Sequence, residues 1–354
     1  MTFPGMIPAS VEGMVRKSYL AALLSLSLPA CLAMPPPEEL FQSRANIAPR
    51  AASEEDGKLE IWIPYVGQGD GTLVVLPNGK NLLIDAGPPG AGKNYLLPLL
   101  AELKIQTINA LVVSHYDLDH IGGVSEIPLG LDGLPNTADD VNVLAVYDRG
   151  GEPWDSSPGY GKYLESLDDW KIPRRTLSAG DSLLLDSAVS IRCVVSNGIV
   201  GDGSSAPEVV DISPATYAGR ENAASVGLLI EFGDFRYLTA GDLTGGGMAD
   251  GFLTPDVETP LAELVGEVDA VHVNHHGSGS SSNEEFVKIG AQMVFIQAGK
   301  DNPYHHPTNE VLQKWADLGS EIYSTADGDG FALESKDRSI SVQLLELQLS
   351  PRLD

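Results

Sequence analysis

Ser114-His-Tyr-Asp-Leu-Asp-His-Ile-Gly-Gly123 is the most informative segment of this 354-residue chain. It places two imidazoles and two carboxylates within six residues, in the pattern H-x-D-x-D-H. The apolar residues 110–113 before it predict a buried strand, and Gly122 with Gly123 predict a tight turn after it. A strand end that carries four nitrogen and oxygen donors suits a divalent metal such as zinc, manganese or iron. The alternative is an acidic turn whose two histidines have no shared role.

The seven histidines of the chain lie in three short segments. The first segment holds His115 and His120, the second is Val271-His-Val-Asn-His-His-Gly-Ser278, and the third is Pro303-Tyr-His-His-Pro307. This clustering predicts that the three segments converge on one metal site. His272 occupies a strand position and is predicted to have a core or surface role instead.

The composition describes a globular chain with an acidic surface. Hydrophobic residues make up 43 % of the sequence, there are 38 glycines, and the formal net charge is -27. Such a charge argues against electrostatic binding of nucleic acid by the protein surface alone, because that binding needs lysine and arginine side chains close to the phosphates. A phosphate substrate held by metal ions is still compatible with it, since the cations supply the local positive charge.

The first 33 residues have the pattern of an export signal. An apolar run over 18–30 is too short to span a bilayer, and no later stretch is long enough for a transmembrane helix. Leu28-Pro-Ala-Cys31 is close to a bacterial lipoprotein box, in which Cys31 would carry a lipid anchor. Cleavage after Ala33 without an anchor is the alternative. We therefore expect an exported chain that is periplasmic, an outer-membrane lipoprotein or secreted.

Residues 34–57 are rich in proline, alanine and glutamate and predict a flexible tether, so we place one folded domain at 58–354. Cys193 is the one cysteine of that domain and is predicted to be a small buried hydrophobe. The domain therefore has no cysteine-based zinc site.

The first half of the domain predicts strand, hairpin, strand, helix and strand. An Asn-Gly turn at 78–79 separates two apolar runs, and the second run ends at Asp85. Leucines at helical spacing over Lys93–Leu103 predict a helix before the strand that leads to His115. Asp85 is expected near the metal loop, or else in a simple capping turn.

Two polar segments have open interpretations. The acidic loop 130–140 predicts either a calcium site or a solvated surface, and its oxygen donors are Asp132, Asn136, Asp139 and Asp140. The Gly-, Ser- and Pro-rich stretch 197–221 predicts a long loop over the site, which is either a lid that shapes the substrate or an insertion.

The second half repeats the alternation of strands and helices. A hairpin through Gly233-Asp234 ends at Asp242, the strand Ala270–Val273 leads to His275 and His276, and the strand Met293–Gln297 precedes the third histidine segment. Helices are expected over Asn283–Ile289 and Asn309–Leu318. Two β-rich halves, each followed by helices, predict two sheets face to face with helices outside.

Seven motifs in this order resemble the metallo-β-lactamase fold, which implies an α/β (α+β) four-layer αββα sandwich. The resemblance is closest to the extracytoplasmic metallo-hydrolase domain of ComEC-type DNA-uptake proteins and its stand-alone relatives. The motifs are Val66-Gly-Gln-Gly-Asp70, Leu83-Ile-Asp-Ala-Gly87, Ser114–Gly123, Asn222-x-x-Ser225, Thr239-Ala-Gly-Asp242-Leu243, His275-His-Gly-Ser278 and Tyr304-x-His306-Pro307. Asp117 departs from the commoner fold signature, which has histidine there, and Tyr65 stands where the ComEC-type branch usually shows aspartate.

The resemblance implies two divalent metal ions, zinc or manganese, bridged by Asp242. One ion would be bound by His115 and Asp117, and the other by Asp119 and His120. One histidine of each later pair would complete the site as a ligand or as a proton donor. The implied metal ligands are His115, Asp117, Asp119, His120, Asp242, His276 and His306, of which Asp119 and His276 would be catalytic. The residues expected to support them are Asp70, Asp85, His275 and His305.

The implied activity is extracytoplasmic hydrolysis of a phosphodiester by a metal-bridged hydroxide, on DNA or on nucleotides. A lactone or carboxylic-ester substrate is the alternative within the same fold. A non-catalytic binding module is disfavoured, because burying so many carboxylates and imidazoles without a metal would be costly.

Overall fold

The computed structural model describes residues 57–154, 157–215, 217–249, 252–336 and 339–345. The predicted export signal, Cys31 and nearly all of the predicted tether therefore lie outside the described residues. Within the described part, no helix has the length and apolar character needed to cross a membrane.

In chain order the strands are β1 (Leu59–Ile63), β2 (Thr72–Val75), β3 (Asn81–Ile84), β4 (Thr107–Ile108), β5 (Ala110–Val112), β6 (Asn142–Val143), β7 (Val146–Asp148), β8 (Arg174–Thr176), β9 (Val189–Ser196), β10 (Ile199–Val200), β11 (Glu208–Val209), β12 (Gly227–Phe232), β13 (Phe235–Thr239), β14 (Gly245–Ala249), β15 (Phe252–Asp256), β16 (Ala270–His272), β17 (Met293–Ile296), β18 (Glu321–Ser324), β19 (Gly330–Lys336) and β20 (Ser339–Leu345). The α-helices are α1 (Leu97–Glu102), α2 (Leu118–Ile121), α3 (Tyr160–Asp169), α4 (Tyr217–Ala223), α5 (Glu258–Val265) and α6 (Asn309–Asp317). A π-helical turn over Gly92–Leu96 leads into α1, and 3-10 turns cover Val124–Leu129, Asn274–Gly277, Phe286–Ile289 and Thr325–Asp327.

Two eight-stranded sheets form the body of the protein. The first has the order β20-β19-β1-β2-β3-β5-β7-β8, and the second has the order β11-β10-β9-β12-β13-β16-β17-β18. In the first sheet β3, β5, β7 and β8 run parallel to one another. In the second, β13, β16, β17 and β18 do the same. Loops that follow parallel strands leave from the same sheet edge, so each sheet presents one edge crowded with polar loops.

Three apolar clusters separate four layers. The cluster between the sheets joins side chains of both, such as Ile61 from β1 and Phe295 from β17. The outer face of the first sheet packs against α1 and α3 through residues such as Tyr163. The outer face of the second sheet packs against α5 and α6, where Leu261 and Trp315 are fully buried. This arrangement confirms the predicted four-layer αββα sandwich.

Alternation along β1 shows how the sequence produces these layers. Leu59, Ile61 and Ile63 are fully buried between the sheets, while Trp62 packs on the opposite face. A strand with this period-two pattern has an apolar side for each of two neighbouring layers.

Several predicted element boundaries were wrong. Residues 197–221 are not one long loop, because β10, β11 and the start of α4 lie within them. The helix predicted over Asn283–Ile289 is only a 3-10 turn that begins at Phe286. There the Asn283 side chain accepts hydrogen bonds from the N–H groups of Glu285 and Phe286, and so competes with helical hydrogen bonds at this end.

Candidate metal centre

The H-x-D-x-D-H loop connects β5 with α2 and lies against the loop that follows β3. Asp117 has an extended backbone directly before α2, so His115 and Asp117 precede the helix while Asp119 and His120 lie in its first turn. Gly123 allows the close approach of the two loops, because a Cβ at that position would lie 2.1 Å from the carbonyl oxygen of Ala86.

Asp242, which follows β13, is at the centre of the donor array. Its Oδ1 lies 3.2 Å from Nε2 of His120, and its Oδ2 lies 3.9 Å from Nε2 of His115 and 3.6 Å from Nε2 of His276. Asp119 adds a carboxylate oxygen 3.3 Å from Nε2 of His276. Donors from both sheets therefore meet at one point, as the clustering of histidines predicts.

Two overlapping groups of donors fit metal ions. One ligand atom each from His115, His120 and Asp242 lie within 4.8 Å of one another, and the same holds for Asp119, His120 and His276. Asp117 lies beside the first group, with Oδ2 3.5 Å from Nε2 of His115. Imidazole nitrogens combined with carboxylate oxygens suit zinc and manganese.

The hydrogen bonds behind the array set the tautomers of its histidines. His120 donates from Nδ1 to Asp85 at 2.8 Å, and His276 donates from Nδ1 to the carbonyl oxygen of Gln297 at 2.9 Å. Ser114 donates its hydroxyl to Asp85 at 2.7 Å, so the same oxygen accepts from Nδ1 of His115 at 3.0 Å.

In their neutral form all three imidazoles therefore carry the proton on Nδ1 and direct the Nε2 lone pair into the array. Within the described residues these three buried Nε2 atoms have no hydrogen-bond partner. Buried polar atoms are nearly always satisfied, so this convergence of bare lone pairs is an independent indication that the residues present fit metal ions.

The imidazoles and carboxylates of the array shift one another's pKa values. Burial lowers the pKa of His120 and His276, but the facing carboxylates, Asp242 above all, hold both pKa values well above the usual range. Burial also raises the pKa of Asp242, whereas the surrounding histidines hold it well below its usual range. Protons and metal ions therefore compete for the same lone pairs, so metal binding is expected to release protons.

The members of each later histidine pair differ in burial. His276 is buried within the array, while His275 is 21 % exposed and bonded through Nδ1 to the Ser280 hydroxyl at 2.8 Å, with its Nε2 3.7 Å from Oδ2 of Asp242. His306 is buried with its ring 5.6 Å from that of His275, whereas His305 is exposed. The structure therefore brings together the first histidine segment, both members of the second and one member of the third.

Asp70 lies behind the donors. It is buried, with Oδ1 3.1 Å from Nδ1 of His276 and 3.8 Å from Nε2 of His272. Its backbone N–H donates to the carbonyl oxygen of Asp119 at 3.3 Å. His272 is buried as a core residue would be, but its contact with Asp70 is not indicated by the strand pattern.

Glu258, at the start of α5, is a functional candidate that the sequence reasoning missed. Its carboxylate accepts hydrogen bonds from the Asn274 side chain at 2.8 Å and from the N–H groups of Ser282 and Asn283 at 2.8 and 2.9 Å. It thereby closes the loop that contains both His275 and His276. Burial raises the pKa of Glu258 to about 7, against the effect of these hydrogen bonds.

The acidic loop 130–140 bonds largely to itself. Asp139 accepts from the N–H of Asp132 at 3.0 Å, and Asp140 accepts from the N–H of Asn136 at 2.8 Å. These bonds account for the loop conformation as an ordinary surface turn, and calcium binding stays a prediction.

Comparison with known proteins shows which proteins this chain resembles. Residues 64–131 match the Metallo-beta-lactamase superfamily. ComE operon protein 3 of Bacillus subtilis is 28 % identical over 272 residues, which are 72 % of this chain and 30 % of that protein. Recombination protein 2 of Haemophilus influenzae is 24 % identical over 293 residues, which are 81 % of this chain and 30 % of that protein. This chain therefore spans less than a third of these relatives.

Among solved structures, zinc-bound PqqB from Methylobacterium extorquens is similar, with 14 % identity and a TM-score of 0.44. That similarity covers 75 % of this chain and 97 % of PqqB.

The matched segment contains Asp70, Asp85 and the whole H-x-D-x-D-H loop. With the four-layer topology it confirms the metallo-β-lactamase fold and the resemblance to ComEC-type proteins. The matched segment and the donor array support a metal-dependent hydrolase.

Proposed function

We propose that this metal-dependent hydrolase is an exported phosphodiesterase that acts on nucleic acids or nucleotides with two divalent ions, zinc or manganese. The observation that carries the proposal is the position of Asp242. Its Oδ2 lies 3.9 Å from Nε2 of His115, a proposed ligand of one ion, and its Oδ1 lies 3.2 Å from Nε2 of His120, a proposed ligand of the other. A carboxylate in such a position is suited to bridge two cations.

The proposed ligands divide into two groups around that bridge. His115 and Asp117 would hold one ion, while Asp119, His120 and His276 would hold the other. His306 is proposed as a further ligand or as the proton donor to the leaving oxygen, because its buried ring lies 6.4 Å from that of His276.

When bound, divalent ions lower the pKa of water and stabilise the negative charge that develops on the attacked ester. The chain's own residues supply orientation. Asp85 and Ser114 fix the rings of His120 and His115 through their Nδ1 atoms. Asp119 is 32 % exposed, so its carboxylate can accept a hydrogen bond from the attacking water and orient it.

The choice of a phosphodiester rests on the relatives. One of them is named as a recombination protein, and the resemblance covers 81 % of this chain. The net charge of -27 favours a short substrate over a long polyanion, and it keeps a lactone or carboxylic ester as the second candidate. Export and a lipid anchor at Cys31 are proposed from the sequence pattern of residues 1–33 alone.

The test uses the purified protein, stripped with chelator and reloaded with manganese or zinc. We expect about two ions per chain and cleavage of bis-p-nitrophenyl phosphate, with linear DNA and a simple lactone as competing substrates. Asp119→Ala should abolish turnover and leave the circular dichroism spectrum unchanged.

Each outcome is informative. Turnover of the lactone alone would move the assignment to the ester hydrolase. Unchanged phosphodiesterase activity in Asp119→Ala would reject the proposed site, and failure to bind either metal would reject the proposed function.

A further inference from the structure

The segment Glu221–Val226, which comprises the end of α4 and the connection to β12, contacts several of the donor loops and is here named the brace. Glu221 is 1 % exposed and Ser225 is fully buried. A charged or polar side chain is rarely buried to this extent without a specific hydrogen-bond partner, so both residues are expected to have one.

The carboxylate of Glu221 is saturated by four hydrogen-bond donors. Oε1 accepts from the backbone N–H of Tyr116 at 2.9 Å and from Nε of Arg149 at 3.0 Å. Oε2 accepts from Nη2 of Arg149 at 2.7 Å and from the N–H of Trp154 at 2.8 Å. With Arg149 neutralising its charge, Glu221 has no free oxygen for a metal ion, so it is not a ligand.

Tyr116 stands between His115 and Asp117, so its backbone position sets the direction of both side chains. Glu221 fixes the N–H of Tyr116, and the Arg149 guanidinium lies 4.3 Å from the centre of the Tyr116 ring. The same buried ion pair therefore holds the backbone and the side chain of the residue between two expected ligands.

The remainder of the brace reaches the other donor loops. Asn222 and Nε2 of His275 are 3.2 Å apart, and the Ser225 hydroxyl accepts from the N–H of Asp242 at 3.3 Å. The N–H of Val226 donates to the carbonyl oxygen of Ser114 at 2.8 Å. One short segment thus links the loops that carry His115, Asp242 and His275.

We propose that Glu221 is a positioning residue that sets the ion position formed by His115 and Asp117. The ion position formed by Asp119 and His120 is held by other contacts, because the backbone N–H groups of Asp70 and Ala86 donate to the carbonyl oxygens of Asp119 and His120. Loss of Glu221 is therefore expected to weaken one of two ion positions and to spare the other. This inference rests on the proposed function only in that two ions bind.

The test is metal titration of the full protein and of Glu221→Gln by isothermal calorimetry. A glutamine has one acceptor oxygen where Glu221 uses two, so its amide group must face N–H donors on one side. We expect one binding equilibrium to weaken about 10–100-fold and the other to change less than about twofold.

Asn81→Ala is the matched control for lost buried hydrogen bonds. Asn81 is 3 % exposed, bonds to the carbonyl oxygen of Thr107 and to the N–H of Asn109, and is placed at the far end of β3 from Asp85. This variant should lower the melting temperature and leave both metal affinities unchanged. If Asn81→Ala weakened metal binding as much as Glu221→Gln, general destabilisation would explain both results.

Arg149→Lys provides a second variant in case Glu221→Gln does not fold. A lysine keeps the positive charge beside Glu221 but cannot form the bidentate hydrogen bonds of arginine. Metal affinity at the position formed by His115 and Asp117 should therefore fall to a smaller extent. Two unchanged affinities in a folded Glu221→Gln, or in Arg149→Lys where only that variant folds, would overturn the positioning role and leave the proposed function standing. Absence of metal binding in the unmodified protein would overturn both.

Discussion

Replacement of Asp85 by asparagine should weaken metal binding by reversing a histidine tautomer. Oδ2 of Asp85 accepts from Nδ1 of His120 at 2.8 Å and from the Ser114 hydroxyl at 2.7 Å, while Oδ1 accepts from the N–H of Ser114 at 2.7 Å. Asparagine can keep the bond to the Ser114 N–H through its oxygen. Its amide group then faces Nδ1 of His120 and donates to it.

The proton of His120 must consequently move to Nε2, where it points at Oδ1 of Asp242, 3.2 Å away. The lone pair intended for a metal ion is then lost unless the tautomer reverts. Residues that orient metal-binding histidines are worth about 10–100-fold in affinity, which is about 1.4–2.7 kcal/mol. We expect Asp85→Asn to lose this much in a zinc or manganese titration, and activity should recover at saturating metal.

Asn81→Ala, at the opposite end of β3, is the control for this variant. Asn81 is 3 % exposed and bonds to the carbonyl oxygen of Thr107 and to the N–H of Asn109. It should lose about 1–3 kcal/mol of stability and no metal affinity. The tautomer argument is refuted if Asp85→Asn binds metal as tightly as the unmodified protein.

Three further predictions concern pH, the core and the turn after α2. The raised pKa of Glu258, about 7 against 4.5 for an ordinary glutamate, favours its protonated form in the folded state. The contribution of Glu258 to the free energy of unfolding is therefore fully present below pH 4.5 and is lost as pH rises to 7. The unfolding free energy of the metal-free protein should fall by about 3 kcal/mol over this range. Urea unfolding at several pH values checks this, and an unchanged slope in Glu258→Gln would contradict it. Phe295→Ala removes a fully buried ring that stacks on Tyr323 at 5.2 Å between centroids, so it should cost about 3–5 kcal/mol in urea unfolding. A cost below about 1 kcal/mol would mean that the core between the sheets is loosely packed. Gly123→Ala places a Cβ 2.1 Å from the carbonyl oxygen of Ala86, so it should separate the two loops and reduce metal stoichiometry. Two bound ions in that variant would show that the loops tolerate the displacement.

The fold could be predicted from sequence because its signals are local. Apolar runs such as 110–113 are followed directly by donors, and strands that run parallel bring their following loops to one edge. The three histidine segments are therefore recognisable as one site without any knowledge of distances.

The residues alone do not decide which member of each histidine pair faces the array, because both members have the same side chain, and only the resemblance favours His276 and His306. The direction of each ring depends on backbone conformation, and the positive φ of His275, His276 and His305 is not indicated by their spacing. Asn302 bonds the N–H of His306 and accounts for its buried position, but no periodicity indicates that contact.

Glu221 was missed because its partners are remote in the sequence. Its bonds reach Tyr116 and Arg149, 105 and 72 residues away. It lies in a stretch whose glycine and serine content indicates a loop. The one sequence signal for a functional role of Glu221 is its position directly before the Asn222-x-x-Ser225 motif. Buried ion pairs between distant loops leave no regular spacing for the sequence to display.

The pairing of β1 with β19 bears on how this domain can be combined with others. The strand that opens the fold lies antiparallel to one that closes it, with Leu59 opposite Ser335, and β20 follows at the same edge. A domain whose first and last strands lie in one sheet with a single strand between them can be inserted into a host protein, or appended to one, without a change in the order of its strands. In the two relatives the matched region makes up 30 % of the length, as expected for a domain that is combined with other segments in a longer protein.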